Sequence, residues 1–390
     1  MSVSDHAAKL ALWSFALGVV TISLQWFPAL PLKGAQLADF LFLVAAAAMV
    51  VSRRQLIELA RVDQLWIALF AGGAVVSAVV NGGSYLKLLG HLELAFVLIM
   101  AASLSLEEAN GRRLRQALIW AALLAAVTGL VGALLFFAGH ESALLNHYGD
   151  LLPGSYPRIR GTCLKANMLA TILATGLILL HGEDKSSRLG RWRYAVAGVL
   201  VVALLFTFSR TWLTLGAGYL VLRALEKRSA HRTVLAAMAV AIVTLLLLVS
   251  ARYTILLEPT RFWDVASSSE PGTRWVIWGD ALETVKSHLL FGRGPGSPAT
   301  ASGWSAHLVW LNLWAVLGIV PLCGFAIGIY RALGKYRAEA ALAVAVGVIV
   351  LDGFARDVED MRHLWVLMGL LIGSRAKREL GKRTQRDSVG

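Results

Sequence analysis

The residues of this sequence that could do chemistry are arginines and a histidine that stand beside long apolar runs. Arg210 lies in FTFSRTW between two such runs, Arg274 lies at the start of TRWVIWGDALETVKSH, and His307 begins an apolar run. A charge beside an apolar run is costly unless it faces a polar cavity, guanidinium groups bind oxyanions, and imidazole exchanges protons near neutral pH. These residues predict a site for an anionic ligand. For Arg210 the alternative is a tight turn with an interfacial arginine, and for His307 a boundary histidine bonded to a carbonyl.

A second group of polar residues lies at the ends of other apolar runs. In YPRIRGTCLKANMLAT, Arg158 and Arg160 precede a predicted helix and Asn167 lies in its first turns, a pattern that suits an anion site. The alternative, which stays open for both arginines, is an interfacial anchor that reaches lipid phosphate. Arg293 lies in the turn GRGPG, which would reverse the chain and allow its backbone to approach a ligand. Arg356 lies in the mixed-charge segment DGFARDVEDMRHLW, where surface ion pairing or a supporting role in the site is expected.

These residues must be positioned by helices in a membrane, because the composition excludes an ordinary soluble domain. The 390 residues are 57% hydrophobic with a mean hydropathy of +0.65, and the formal net charge is +13. Apolar runs separated by short charged segments predict an all-α, polytopic membrane protein in one integral domain, residues 1–390. The basic charge therefore reports orientation, and we expect no nucleic-acid partner. Twelve spans are predicted, at 10–28, 36–51, 64–80, 85–104, 116–138, 166–181, 194–209, 211–225, 233–250, 307–330, 339–354 and 362–374.

The distribution of positive charge predicts which way the chain is inserted. With both termini cytoplasmic, 24 of the 37 Lys and Arg residues fall in inner segments. The outer ones gather before span six, between spans seven and eight, in residues 251–306 and before the last span. Because arginine on the outer side opposes this rule, we expect a shared cationic pocket there. Apolar residues at Trp275, Trp278 and Leu282 predict an interfacial helix within the 251–306 loop.

The sequence contains no motif for a metal or a nucleotide. The first outer loop, QWFPALPLKGAQ, has no carboxylate, and neither a P-loop nor HExxH occurs. Cys163 and Cys323 are far apart and predict neither a zinc site nor a disulfide framework. We therefore expect no metal and no cofactor.

The order of these motifs resembles the O-antigen ligase/polymerase superfamily. The shared features are RxxGT before a span, SR between spans, TRxxIWxxAL followed by LLFGRGPG, and a histidine before LGIVPL. They cover roughly residues 155–330. In the resemblance, Arg210 and Arg274 correspond to arginines that hold a diphosphate, and His307 to the histidine of the large outer loop. The family usually has an asparagine directly after that histidine, whereas this chain has Leu308, with Asn312 further on.

The resemblance implies a GT-C-like fold and an activity at the periplasmic face of the bacterial inner membrane. Family members are metal-independent glycosyltransferases that move a glycan from undecaprenyl diphosphate to an acceptor, and the 251–306 loop would carry part of the active site. The implied partners are the lipid-linked donor, a lipid or saccharide acceptor and membrane lipid.

Two other functions remain open at this point. Within the superfamily, a polysaccharide polymerase competes with the ligase. A transporter or flippase for a lipid-linked sugar would use the same cationic pocket for binding alone, although such proteins often show duplicated halves and none is visible here.

Overall fold

The computed structural model of the chain describes most of its residues. The described ranges are 3–25, 36–52, 59–140, 159–184, 187–207, 209, 211–227, 274–334, 339–354, 358 and 361–387. Within them the regular secondary structure is entirely α-helical. Span nine, predicted at 233–250, lies outside the described residues, as do Arg158, Arg210 and Arg356.

Fourteen helices occur in the described ranges. They are α1 Val3–Thr21, α2 Leu37–Val51, α3 Arg61–Asn81, α4 Tyr85–Leu104, α5 Glu108–Phe137, α6 Ala166–His181, α7 Arg188–Arg191, α8 Arg193–Phe206, α9 Thr211–Lys227, α10 Arg274–Ser287, α11 Val309–Leu317, α12 Ile319–Leu333, α13 Ala340–Asp352 and α14 Arg362–Asp387.

By length and composition, α3, α4 and α5 are long and apolar enough to cross a membrane. Five further apolar helices are shorter, namely α2, α6, α8, α12 and α13. The all-α class and the membrane character expected from the sequence are therefore supported. The number of spans and the GT-C-like arrangement stay predictions.

The chain divides into two compact units. Unit 1 comprises Met1–Ile57, Ile99–Tyr219 and Gly369–Gly390, and unit 2 comprises Glu58–Leu98 and Leu220–Met368. In unit 1, α1 packs on α2 and α5, and α6 packs on α5 and α8. Gly176 of α6 meets Ala122 of α5 so closely that a side chain at this glycine would collide with it.

In unit 2, α3 and α12 pack along each other in opposite directions with a constant register. Asp63 accepts hydrogen bonds from Arg331 at 3.3 and 3.4 Å. One helical turn further, Gly328 lies against the ring of Trp66, and Gly324 then lies against the backbone of α3. About one turn further along the same interface, a side chain at Gly73 would meet the ring of Pro321. Small residues let the two backbones approach closely, which is how helices associate in membranes.

The predicted tenth span, 307–330, is wrong as a single helix. The backbone turns at Gly318, which has a φ of 93°, and this separates α11 from α12. The rings of Trp310 and Phe325 lie 5.7 Å apart, whereas a continuous helix would separate these residues by roughly 22 Å along its axis. The two helices therefore form a hairpin. Glycine at the bend and Pro321 in the first turn of α12 are the physical cause, because one adopts positive φ and the other needs no backbone donor.

Candidate functional site

In unit 1, Arg160 lies in a short loop before α6, and this loop contacts the end of α8, which leads towards Arg210. Its side chain is buried, and Nη1 donates to the carbonyl of Leu164 at 3.3 Å. The preceding residue, Ile159, donates its N–H to the carbonyl of Phe206 at 3.1 Å. That carbonyl lies at the end of α8, four residues before Arg210. The structure thus brings the Arg160 loop to the segment that leads into Arg210, whose own position lies outside the described residues.

The Arg160 loop is also tied to the end of α1. Thr162 Oγ1 donates to Ser23 O at 2.9 Å, and the N–H of Leu164 donates to Gln25 Oε1 at 2.9 Å. Gly161, which directly precedes Thr162, has a φ of 55° and faces the backbone of α5, where a side chain would not fit. Because both ends of the loop are held, Arg160 has a defined position.

The burial and contacts of two other residues near Arg160, Asn167 and Cys163, are defined. Asn167 is the second residue of α6 and is half-buried, and its carbonyl accepts a hydrogen bond from Thr171 Oγ1 at 3.0 Å. Cys163 is fully buried beside Arg160, and burial raises the pKa of its thiol to about 12 although the guanidinium acts in the opposite direction. This thiol is therefore protonated at neutral pH.

In unit 2, the helix predicted within residues 251–306 is present as α10, and Arg274 is its first residue. One turn later, Trp278 is buried and its Nε1 donates to the carbonyl of Ala306 at 2.9 Å. Ala306 directly precedes His307. At the other end, Trp314 Nε1 of α11 donates to the carbonyl of Leu289 at 3.1 Å. Helices α10 and α11 therefore run side by side in the same direction, and the first turn of α10 lies beside the start of the His307 segment.

His307 has an unusual backbone conformation that its neighbours maintain. Its φ is 52°, and it is the one non-glycine residue with a positive φ among the described residues. It precedes α11 by two residues instead of opening it, because the helix begins at Val309. The side-chain oxygen of Asn312 accepts from the N–H of Ala306 at 3.2 Å and from Ser305 Oγ at 3.4 Å.

The other side of His307 is held as well. The N–H of Val309 donates to the carbonyl of Gly353 at 2.9 Å, at the end of α13. Residues held in sparsely populated backbone regions persist only when their surroundings determine them, and they cluster at functional sites. Although histidine tolerates this region better than most residues, hydrogen bonds on both sides hold its backbone in this conformation.

The backbone of the GRGPG turn packs closely against other backbone segments of this chain. A side chain at Gly292 would meet the backbone of Val316, and one at Gly294 would meet the carbonyl of Gly82. Asn81 Nδ2 donates to Gly292 O at 2.8 Å. The predicted approach to a ligand is therefore not needed to explain these glycines, which pack the turn against the ends of α3 and α11.

Arg293, in the same turn, braces the loop that follows it. Its backbone N–H donates to Ala315 O at 3.0 Å, and Nη1 donates to the carbonyls of Pro298 and Thr300 at 3.4 and 3.0 Å. These contacts fix the loop between α10 and His307. The guanidinium is half-buried and has further N–H groups, so its predicted role in binding substrate stays a prediction.

One polar pair of unit 2 was not predicted from the sequence. Arg362, the first residue of α14, donates to the carboxylate of Glu93 in α4 with two bonds of 3.0 Å. The side chains are 14% and 22% exposed. The available signal was a carboxylate inside the apolar run of the fourth predicted span, because ionisable residues in such runs are commonly functional.

The described residues thus contain one constellation in each unit. Unit 1 joins the Arg160 loop to the segment before Arg210, and unit 2 joins the start of α10 to the His307 segment. Within the described part of the chain, no group of three or more His, Cys, Asp or Glu side chains has the arrangement of a metal site.

Comparison of the sequence with known proteins gave no match, either to a family model or to a curated protein.

Proposed function

We propose that this chain is a membrane glycosyltransferase that moves a glycan from undecaprenyl diphosphate to an acceptor sugar at the periplasmic face, as O-antigen ligases do. The observation that carries this proposal is the hydrogen bond from Trp278 to the carbonyl of Ala306. It holds the turn of α10 that begins with Arg274 beside the segment that carries His307. An arginine for a diphosphate and a base for a hydroxyl group are the two groups that such a transfer requires.

The chemistry is a displacement at the anomeric carbon of the donor sugar. The acceptor oxygen forms a bond to that carbon, and the bond from the carbon to the diphosphate oxygen breaks with inversion. His307 takes the proton from the attacking hydroxyl group. The electron pair leaves with undecaprenyl diphosphate, and its growing negative charge is neutralised by Arg274 and Arg210 through paired N–H donors.

Arg160 and Asn167 support this proposal as further binding residues. Arg160 lies on the loop that contacts the segment before Arg210, and its position is held from both sides. In the proposal these side chains bind the diphosphate or the adjoining sugar, with Arg158 and Arg356 as additional candidates.

The test is transfer by purified protein. Given an undecaprenyl-diphosphate-linked glycan and an acceptor in the presence of EDTA, the protein should form the product, and His307→Ala and Arg274→Ala should each remove most of the rate. Full turnover by either variant would contradict its assigned role. The product distinguishes the two enzyme types: a ligase attaches the glycan to lipid A–core sugar, whereas a polymerase extends a second lipid-linked repeat unit.

A transporter for lipid-linked sugar is the second candidate, and the hairpin of α11 and α12 favours it. Transporters often use interrupted helices at their binding sites, and the interruption here lies at Gly318. Movement of the lipid-linked glycan across sealed vesicles, with no glycosyl product in the transfer assay, would favour this function over the enzyme.

A further inference from the structure

We propose that the Arg362–Glu93 ion pair forms the inner wall of a water-accessible recess beside His307, and that this recess receives the hydroxyl-rich saccharide of the substrate. The identity of the ligand rests on the proposed function. The existence of the recess does not, because it follows from the position and exposure of the pair.

The depth of the pair can be read along α3. This helix spans 21 residues, or about 30 Å at 1.5 Å per residue, which matches the hydrocarbon core of a bilayer. Its midpoint lies beside Phe70, whose ring is 4.6 Å from that of Trp365 in α14 and 6.4 Å from that of Phe325 in α12. Arg362 precedes Trp365 by three residues, about 4.5 Å along the helix. The ion pair therefore lies near the middle of the span.

His307 lies at about the same depth along α3 as the Arg362–Glu93 pair. Trp310, three residues after it, contacts the ring of Phe325 at 5.7 Å. The segment before α14 lies beside the start of α11, because a side chain on Gly353 would meet both Val309, two residues after His307, and Val358, four residues before Arg362. The hairpin at Gly318 thus carries His307 inward from the outer end of α3, towards the level of the ion pair.

An ion pair at this depth needs an explanation beyond packing. Paired charges inside a membrane usually face a water-filled cavity or the protein interior, and a fully buried pair is often no more stabilising than apolar residues of similar volume. Here both side chains keep part of their surface exposed. Two further polar atoms, Trp310 Nε1 in α11 and Nε2 of His363, the residue after Arg362, are buried and have no hydrogen-bond partner among the described residues. Polar atoms of this kind are commonly satisfied by water or by a ligand.

The chemistry of the recess fits a neutral ligand with many hydroxyl groups. The pair is neutral overall and offers both acceptors and donors, and the imidazole of His307 can act as either. A saccharide hydroxyl group also donates and accepts. The diphosphate, in contrast, is expected at the arginines of the proposed site, so the two ends of the donor would be bound by different groups.

The experiment measures thiol accessibility and does not depend on glycosyl transfer. In a Cys163→Ala, Cys323→Ala background reconstituted in nanodiscs, Glu93→Cys is treated with anionic and cationic methanethiosulfonates of similar size. Because Arg362 remains opposite the new thiol, the anionic reagent should react about tenfold faster than the cationic one, after correction for their rates with free thiol. Val76→Cys is the matched control, since Val76 is exposed on α3 without a charged partner there, and it should react slowly with both.

Ligand class is tested in the same preparation. Dodecyl maltoside should slow the modification of Glu93→Cys several-fold, and dodecylphosphocholine at the same mole fraction should not. If Glu93→Cys does not fold, as judged by its elution on size exclusion, His307→Cys replaces it, with the expectation of reaction in the absence of maltoside and protection in its presence. A folded variant that does not react, that reacts no faster than Val76→Cys, or that maltoside does not protect would overturn the proposal.

Discussion

The close packing of α3 on α12 predicts that Gly324→Ala destabilises the protein. The new Cβ would lie 2.6 Å from the backbone nitrogen of Phe70 and 2.7 Å from the carbonyl oxygen of Trp66. Both are backbone atoms and cannot rotate away, so the helices must separate by roughly 1 Å, which weakens dispersion contacts along the whole interface. Overpacking of this kind costs about 1–3 kcal/mol, and the higher helix propensity of alanine offsets at most about 1 kcal/mol. We expect a net loss of about 1–2 kcal/mol.

The measurement is the free energy of unfolding in mixed micelles, followed by tryptophan fluorescence as sodium dodecyl sulfate is increased. Gly72→Ala is the matched control, because Gly72 is in α3 and nothing lies within 4 Å of its added Cβ. It should leave the stability unchanged or raise it by up to about 1 kcal/mol. Equal stability of the two variants would refute the packing of α3 against α12, and with it the position of the Arg362–Glu93 pair near the middle of α3.

Three further predictions follow from individual contacts. Asn312→Ala should lower transfer about 10- to 100-fold by releasing the segment before His307, whereas Asn312→Asp keeps the accepting oxygen and should retain most of the rate; equal loss in both variants would contradict this role. Cys163 should resist maleimide up to pH 9 in folded protein, since burial holds the pKa of its thiol at about 12, and rapid labelling detected by mass spectrometry would show that the loop is open. Asp63→Asn should lower the unfolding free energy by about 2–4 kcal/mol through the loss of charge pairing to Arg331, and a stability equal to wild type in the same micelle titration would contradict that pairing.

Much of the helical architecture could be predicted from the sequence, because apolar runs and charged connections directly reflect burial and membrane contact. The error in the tenth span has a local cause. The run after His307 is long and apolar, but Gly318 and Pro321 together mark a bend, and hydropathy alone does not register it. A helix with Arg274 in its first turn was predicted and is present as α10, whereas Trp275 and Leu282 of its predicted apolar face are exposed.

The site was harder to predict because it depends on contacts between distant segments. The pairing of Glu93 with Arg362 joins α4 to α14, and nothing local in either segment identifies the partner. The positive φ of His307 is flanked by a local contact, Ala306 with Asn312, and by a contact between distant segments, Val309 with Gly353. Residue type could identify the chemistry of His307, whereas only the fold could give its orientation.

The most direct test of the central claim is the rate of glycan transfer by purified protein in EDTA, measured for the wild type and for Arg274→Lys. EDTA should leave the wild-type rate unchanged. The lysine variant should lose about 100-fold, because a single ammonium group cannot replace paired guanidinium donors on the leaving diphosphate. Transfer that requires a divalent metal, or a lysine variant as fast as the wild type, would contradict the central claim.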